Sequence, residues 1–262
     1  MQKKLFLFDI DGTIAIGDTL YKGSRELLEW IDSIGGKAYF ITNNSTKSGM
    51  DYVQKFEKAF HLKTQAEDFV TSGTMTLDFL KKNYSDKLIY VLGTASYISE
   101  LKKNGLQITE EMNERIACVV VAYDSEINYQ KLCIASEILE TMEVPYYATN
   151  PDLRCPIDFG FIPDCGAICG MLEATTDKTP QYLGKPNKDV VTVCMERSGF
   201  SKEETVVVGD RLYTDIACGI NADVDTVLVL TGEAKKEDLK QTLFPPTYVF
   251  DTILDYYLLL QK

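Results

Sequence analysis

The stretch KLFLFDIDGT (residues 4–13) decides how this chain is read. Leu5 to Phe8 form an unbroken apolar run, the pattern of a parallel strand covered on both faces. The run breaks at Asp9, and Asp11 follows two residues later. Carboxylates at that spacing point the same way if the strand continues. Gly12 lets the chain turn sharply and lets backbone approach a ligand. A carboxylate at a strand end can attack phosphorus, and a second can carry protons to the leaving oxygen and from water. Asp9 suits the first task and Asp11 the second. Asp-x-Asp-Gly is also an ordinary turn, so the assignment depends on what accompanies it.

Outward from this segment, β-rich apolar runs recur and end in small or polar residues. They are KAYFITNN (37–44), KLIYVLGT (87–94), IACVVVAYD (116–124), VPYYATNPD (144–152), TVVVGD (205–210) and DTVLVLTG (225–232). Segments with helical spacing lie between them, including SRELLEWIDSIG (24–35), GMDYVQKFEKAF (49–60), YQKLCIASEILETM (129–142) and NKDVVTVCMERSG (187–199). The alternation predicts an α/β fold: a doubly wound, Rossmann-like parallel-sheet core. Residues 76–180 carry an alternation of their own and are expected to form a smaller inserted α/β domain. The core is then 1–75 and 181–262.

Open parallel sheets hold ligands beyond the carboxyl ends of their strands. In VVVGDRLYTD (206–215), Asp210 stands at such an end and Asp215 one turn further on. Mg²⁺ takes octahedral oxygen ligands, usually one or two carboxylates with water and phosphate. Asp9, the backbone carbonyl of Asp11, and Asp210 would supply such a site, with Asp215 orienting bound water or a lysine behind them. Phosphate oxygens also need donors. YFITNNS (39–45) offers the Thr42 hydroxyl and the Asn43 backbone or amide N–H groups, then Ser45 and Thr46 ahead of a helix. LGKPN (183–187) sets Lys185 between glycine and proline, a loop suited to aiming a point charge. Singly, these segments also read as a capping turn and a solvated lysine; together they describe one phosphate site.

In this order, DIDGT, TNN, the loop Lys185 and GDRLYTD resemble the four motifs of the haloacid dehalogenase-like phosphatase superfamily. The long separation of the second and third motifs resembles the class IIA, NagD-like / p-nitrophenylphosphatase branch, whose inserted domain is a substrate-specificity cap. FITNNST, VTSGTMTLDFL, YYATNPD, LEATT, LGKPN and VLVLTGE are further phrases like those of that branch. The resemblance implies a Mg²⁺-dependent hydrolase of small phosphomonoesters (sugar phosphate, nucleoside monophosphate or similar) working through an aspartyl-phosphate on Asp9. It implies Asp11 as acid/base, Thr42, Asn43 and Lys185 as phosphate ligands, and Asp9, Asp11 and Asp210 as the metal site. A homodimer is an arrangement common in the family. Two departures stand out: IPDCGAICG lacks a glycine near Cys165, and Asp223 in NADVDT takes a position where the branch usually has glycine.

Rival readings meet specific absences. His61 is the only histidine and follows a helical segment, which leaves no multi-histidine zinc site. No cysteine has an arginine six residues later, and no G-x-x-x-x-G-K-[ST] occurs. A formal net charge of -12 argues against a sequence-independent grip on nucleic acid. The seven cysteines are dispersed, mostly in apolar runs, as reduced structural thiols are. No apolar run approaches the length of a membrane span, and the first residues lack a signal-peptide layout; a cytoplasmic protein is expected. A regulator that accepts phosphate on Asp9 without turnover remains the alternative, although a switch has no need of a cap. Within the cap, Asn150, Asp152 and Arg154 are the candidate substrate contacts. Tyr146 and Tyr147 read as stacking or core residues, and Trp30 as buried against the sheet.

Overall fold

The computed structural model describes residues 3–45, 48–157 and 159–262. Thr46, placed with Ser45 in the turn after the second strand, lies outside them. The chain separates into two compact units. One comprises Met1–Thr42, Lys47–Val70 and Lys185–Lys262, the other Asn43–Thr46 and Thr71–Gly184.

The first unit is built on a six-stranded sheet. Its order runs Tyr248–Phe250, Asp225–Val229, Thr205–Gly209, Leu5–Phe8, Lys37–Thr42 and Phe69–Thr71. Leu5–Phe8 pairs in parallel with Thr205–Gly209 on one side and Lys37–Thr42 on the other. From Leu5–Phe8 the chain first builds the sheet one way and later returns to build it the other way. The order therefore reverses between Leu5–Phe8 and Thr205–Gly209, the crevice where such sheets bind ligands.

Alternation along the strands explains the packing. Phe6, Phe8, Phe40, Val206 and Val208 share one buried cluster with Leu27, Ile31, Tyr52, Phe56 and Phe60. Helix Gly49–Phe60 contributes Tyr52, Phe56 and Phe60 at four-residue spacing, one stripe of a 3.6-residue period. Ser48 caps it in a reciprocal box with Asp51, and His61 ends it in a left-handed conformation, the helix-end role read from sequence. Phe56 lies 4.7 Å from Phe40 and 5.0 Å from Phe60 between ring centroids. Burying each such ring contributes about 2–3 kcal/mol, which fixes the helix against the sheet. Trp30 departs from expectation: it is only partly buried, its ring edge-on to Phe6 at 6.2 Å.

The second unit carries an all-parallel five-stranded sheet in the order Gln181–Tyr182, Tyr146–Ala148, Ile116–Val121, Leu88–Leu92, Gln107–Thr109. Val119 and Val121 face one cluster with Ile138 and Leu139; Cys118 and Val120 face another with Leu80 and Leu101. Both faces are covered, as parallel pairing requires. Tyr146 is buried and Tyr147 packs on Phe79 and Tyr84, so both are core residues. An antiparallel hairpin, Arg154–Ile157 with Gly160–Pro163, leads into helix Cys165–Thr176. All seven cysteines are free thiols. No helix among the described residues is long and apolar enough to cross a membrane.

Asp223 shows why its position favours glycine: its φ is 60°, in the left-handed region. Asp223→Gly is expected to stabilise the protein by about 0.5 kcal/mol, the relieved strain exceeding the added entropy of the unfolded chain. The exposed Lys202–Asp223 contact at 3.4 Å adds little. A chemical-denaturation midpoint at or below that of the parent would refute this.

Candidate active site

Asp9 is the first residue beyond the Leu5–Phe8 strand, and its N–H donates to Val208 O at 2.9 Å. That bond aligns it with the neighbouring strand, which ends at Gly209 and hands the chain to Asp210. Asp215 follows in a wide helical turn, Leu212–Ile216, and folds back so that its Oδ2 accepts from Arg211 N at 3.0 Å. This fold-back needs Gly209: a Cβ there would lie 2.2 Å from Asp215 Cβ. Carboxylate oxygens of Asp9, Asp210 and Asp215 all lie within 4.8 Å of one another.

Lys185 reaches into this group from the first unit's return segment. Its Nζ donates to Asp9 Oδ1 and Asp215 Oδ1, both at 2.6 Å, and to Ile41 O at 2.9 Å. The lysine is 2% exposed. Burial alone would favour its neutral form, but Asp215 and Asp9 outweigh that and hold the ammonium's pKa above its ordinary value. Burial pushes the Asp9 carboxyl well up, against the pull of Lys185, with Asp215 and Asp210 adding repulsion. Burial, then Asp215, raises Asp210 to about 6, despite a hydrogen bond from Glu233 N at 2.7 Å.

Three carboxylates thus face one ammonium, an excess of negative charge in a buried, oxygen-only setting. A hard divalent cation fits it. Asp215 belongs to the trio, its two oxygens accepting from Lys185 Nζ and Arg211 N. Asp210 is held by Glu233 N and by Thr13 Oγ1 at 3.3 Å, and Thr231 Oγ1 ties the same loop to Gly12 O at 2.6 Å. Gly232 is obligatory here, since a Cβ would fall 1.9 Å from Asp210 Oδ2.

The other expected residues divide. Thr42 ends its strand, buried, in the first unit. Asn43 belongs to the second, where its Nδ2 donates to Asp152 Oδ2 at 2.7 Å and its carbonyl accepts from Ser72 Oγ. Asn150 Nδ2 donates to the same Asp152 oxygen at 2.9 Å, and Thr149 Oγ1 donates to Asn150 Oδ1. Asn150 and Asp152 are 0% and 2% exposed and spend their polar atoms inside the unit. Through Asp152 they brace the Asn43 side chain. Arg154 is exposed on the hairpin, its guanidinium 4.4 Å from the Phe161 ring centroid. Glu233, Gly232 and Thr231 were legible only as part of a family-like phrase. Lys55, 3.8 Å from Asp11 Oδ1, was not read at all.

The chain matches the haloacid dehalogenase-like hydrolase family over residues 6–107 and a second haloacid dehalogenase hydrolase-like family over residues 182–256. It is 33% identical over 249 residues to an acid sugar phosphatase of Staphylococcus aureus (strain MRSA252), 95% of each chain. The chain belongs to the haloacid dehalogenase-like hydrolases. A solved 4-nitrophenylphosphatase from Thermotoga maritima superposes with a TM-score of 0.89 at 36% identity, covering 98% of this chain and 97% of that one. A glycerol phosphate phosphatase from Mycobacterium tuberculosis, solved with magnesium, superposes at 0.85 with 25% identity over 96% of this chain and 76% of that one. Within the family the chain falls in the class IIA, NagD-like / p-nitrophenylphosphatase branch. Each acidic residue of the trio lies within one of the two matched segments.

Proposed function

We propose that this phosphatase hydrolyses small phosphomonoesters with Mg²⁺, by way of an aspartyl-phosphate on Asp9. The observation that carries the reading is the trio Asp9, Asp210 and Asp215 around a buried Lys185, at the point where the strand order reverses. Asp9 and Asp210, with the backbone carbonyl of Asp11, would hold the ion. When bound, it neutralises the excess carboxylate charge and polarises the phosphoryl oxygens.

The protein's own groups account for the remaining steps. Lys185 keeps Asp9 Oδ1 fixed and offers positive charge to an incoming phosphate, and Thr42 adds a hydroxyl donor. A carboxylate oxygen of Asp9 attacks phosphorus as the ester P–O bond breaks. Asp11 gives its proton to the departing alkoxide. Water, losing a proton to Asp11, then attacks the acyl phosphate; its P–O bond to Asp9 breaks, releasing inorganic phosphate and restoring both carboxyl groups. Asp215 and Arg211 N preserve the geometry of Lys185 throughout.

Small phosphorylated metabolites are the proposed substrates, with sugar phosphates a natural first set given the relative in Staphylococcus aureus. The test is acid-quenched mass spectrometry during turnover of such an ester. The expected result is a phosphoryl group on the peptide containing Asp9, with many phosphates released per enzyme. Phosphorylation without repeated release would instead favour a regulator.

Metal and pH are linked in a checkable way. Between the usual carboxylate value and about 6, the folded state keeps a proton on Asp210 that the unfolded chain has shed. The metal-free protein therefore loses this contribution to stability as pH rises through that window. Mg²⁺ competes with the same proton, so its stabilising effect should grow as pH rises. Thermal melts in EDTA and in Mg²⁺ at pH 5 and pH 8 test this. A Mg²⁺-induced shift in melting temperature that is equal at both, or absent, would contradict the assignment.

A further inference from the structure

Lys55 lies on helix Gly49–Phe60, between the core residues Tyr52 and Phe56. Its side chain is only 14% exposed, unusual for a lysine, and its Nζ sits 5.7 Å from the Phe60 ring centroid. Among the described residues its ion-pair partner is Asp11, with Nζ 3.8 Å from Oδ1. That separation lies outside hydrogen-bond range. The attraction is electrostatic and draws the Asp11 carboxyl toward the helix without tying its oxygen to a donor. Asp11 is itself 40% exposed in its side chain and follows Asp9 by two residues on a turning loop. A short carboxyl at such a place has several rotamers of similar energy. A fixed cation on a rigidly packed helix selects among them.

We propose that Lys55 is a positioning residue for the acid/base step: it holds the Asp11 carboxyl where it can reach the leaving oxygen. This rests on the reading of Asp11 given above. The helix is well suited to the task, because the Tyr52, Phe56 and Phe60 stripe locks it to the sheet that carries Asp9 and Asp11. Tyr52 lies deep in the same region. Burial first, and then the charge of Asp11, pushes its phenol pKa up, so Tyr52 stays a neutral neighbour while Lys55 supplies the positive charge.

The role predicts dependence on the leaving group. p-Nitrophenolate departs without a proton, whereas an alkoxide from an alkyl ester such as glycerol phosphate needs one. Lys55→Met is expected to lower kcat/KM for the alkyl ester by about 10- to 100-fold and for p-nitrophenyl phosphate by about 3-fold or less. Lys55→Arg should restore most of the alkyl-ester rate. Asp11→Asn, measured beside it, should show the same ordering more strongly. Equal losses on both esters, or no loss on either, for Lys55→Met while Asp11→Asn discriminates would overturn the inference. If Asp11→Asn treats the two esters alike, the acid/base reading of Asp11 fails first, and the role of Lys55 with it.

Discussion

Asp9→Asn is expected to abolish phosphate release, by about 10⁴-fold or more, while leaving the protein at least as stable as the parent. The amide keeps the shape of the side chain and removes the attacking oxygen anion. Stability is predicted to hold because the replaced charge is one the fold resists. Burial opposes ionised Asp9, and Asp215 and Asp210 repel it, with Lys185 giving only partial relief. In EDTA the variant should melt at or above the parent temperature. Phosphate release and a thermal melt on one preparation check both halves. Residual turnover above about one per cent of the parent would remove Asp9 from the nucleophile's role.

Lys185→Met should do the opposite to stability and nearly as much to rate. Without the ammonium, Asp9 and Asp215 confront each other and Ile41 O loses its donor, all within a buried site. Removing one partner of a buried ionic cluster costs about 3–5 kcal/mol, and losing a charge directed at the phosphoryl group costs about 10²–10³ in kcat. Arginine should rescue poorly, since its planar fork does not match three acceptors gathered around one point. A second change, Asp215→Asn on the Lys185→Met background, should recover part of the stability and none of the activity. If Lys185→Met unfolds at the parent's denaturant concentration, the cluster is not the electrostatic element described here.

Much of this was written in the sequence because strong local signals coincided with function. Leu5–Phe8, Thr205–Gly209 and Ile116–Val121 are long apolar runs whose covered faces leave no ambiguity. Asp9 and Asp210 follow such runs directly, so sequence alone placed them at strand ends. The strands Phe69–Thr71, Gln107–Thr109 and Tyr248–Phe250 were missed, since three residues carry too little alternation to declare a strand. Helix Ser72–Tyr84 begins in Ser, Gly and Thr, poor helix formers, and is nucleated by the Thr71 cap instead. Lys55 was illegible for another reason. On an amphipathic helix a lysine beside the apolar stripe reads as its solvated border, and nothing local says that the loop of Asp11 lies across from it. The burial of Asn150 and Asp152 was illegible in the same way, because their partner Asn43 lies more than a hundred residues away in the chain.

The sheet order carries a consequence for how the protein is made. Leu5–Phe8 leaves the ribosome early, but its neighbour Thr205–Gly209 is synthesised only after all of Thr71–Gly184. The inserted unit can complete its own sheet while the first strand waits with one edge unpaired and fully apolar. The acidic trio is then assembled in one late event, when residues 205–215 dock and Asp210 and Asp215 join Asp9. Nascent chains stalled before that point should be inert and in need of chaperones, however well folded their middle portion.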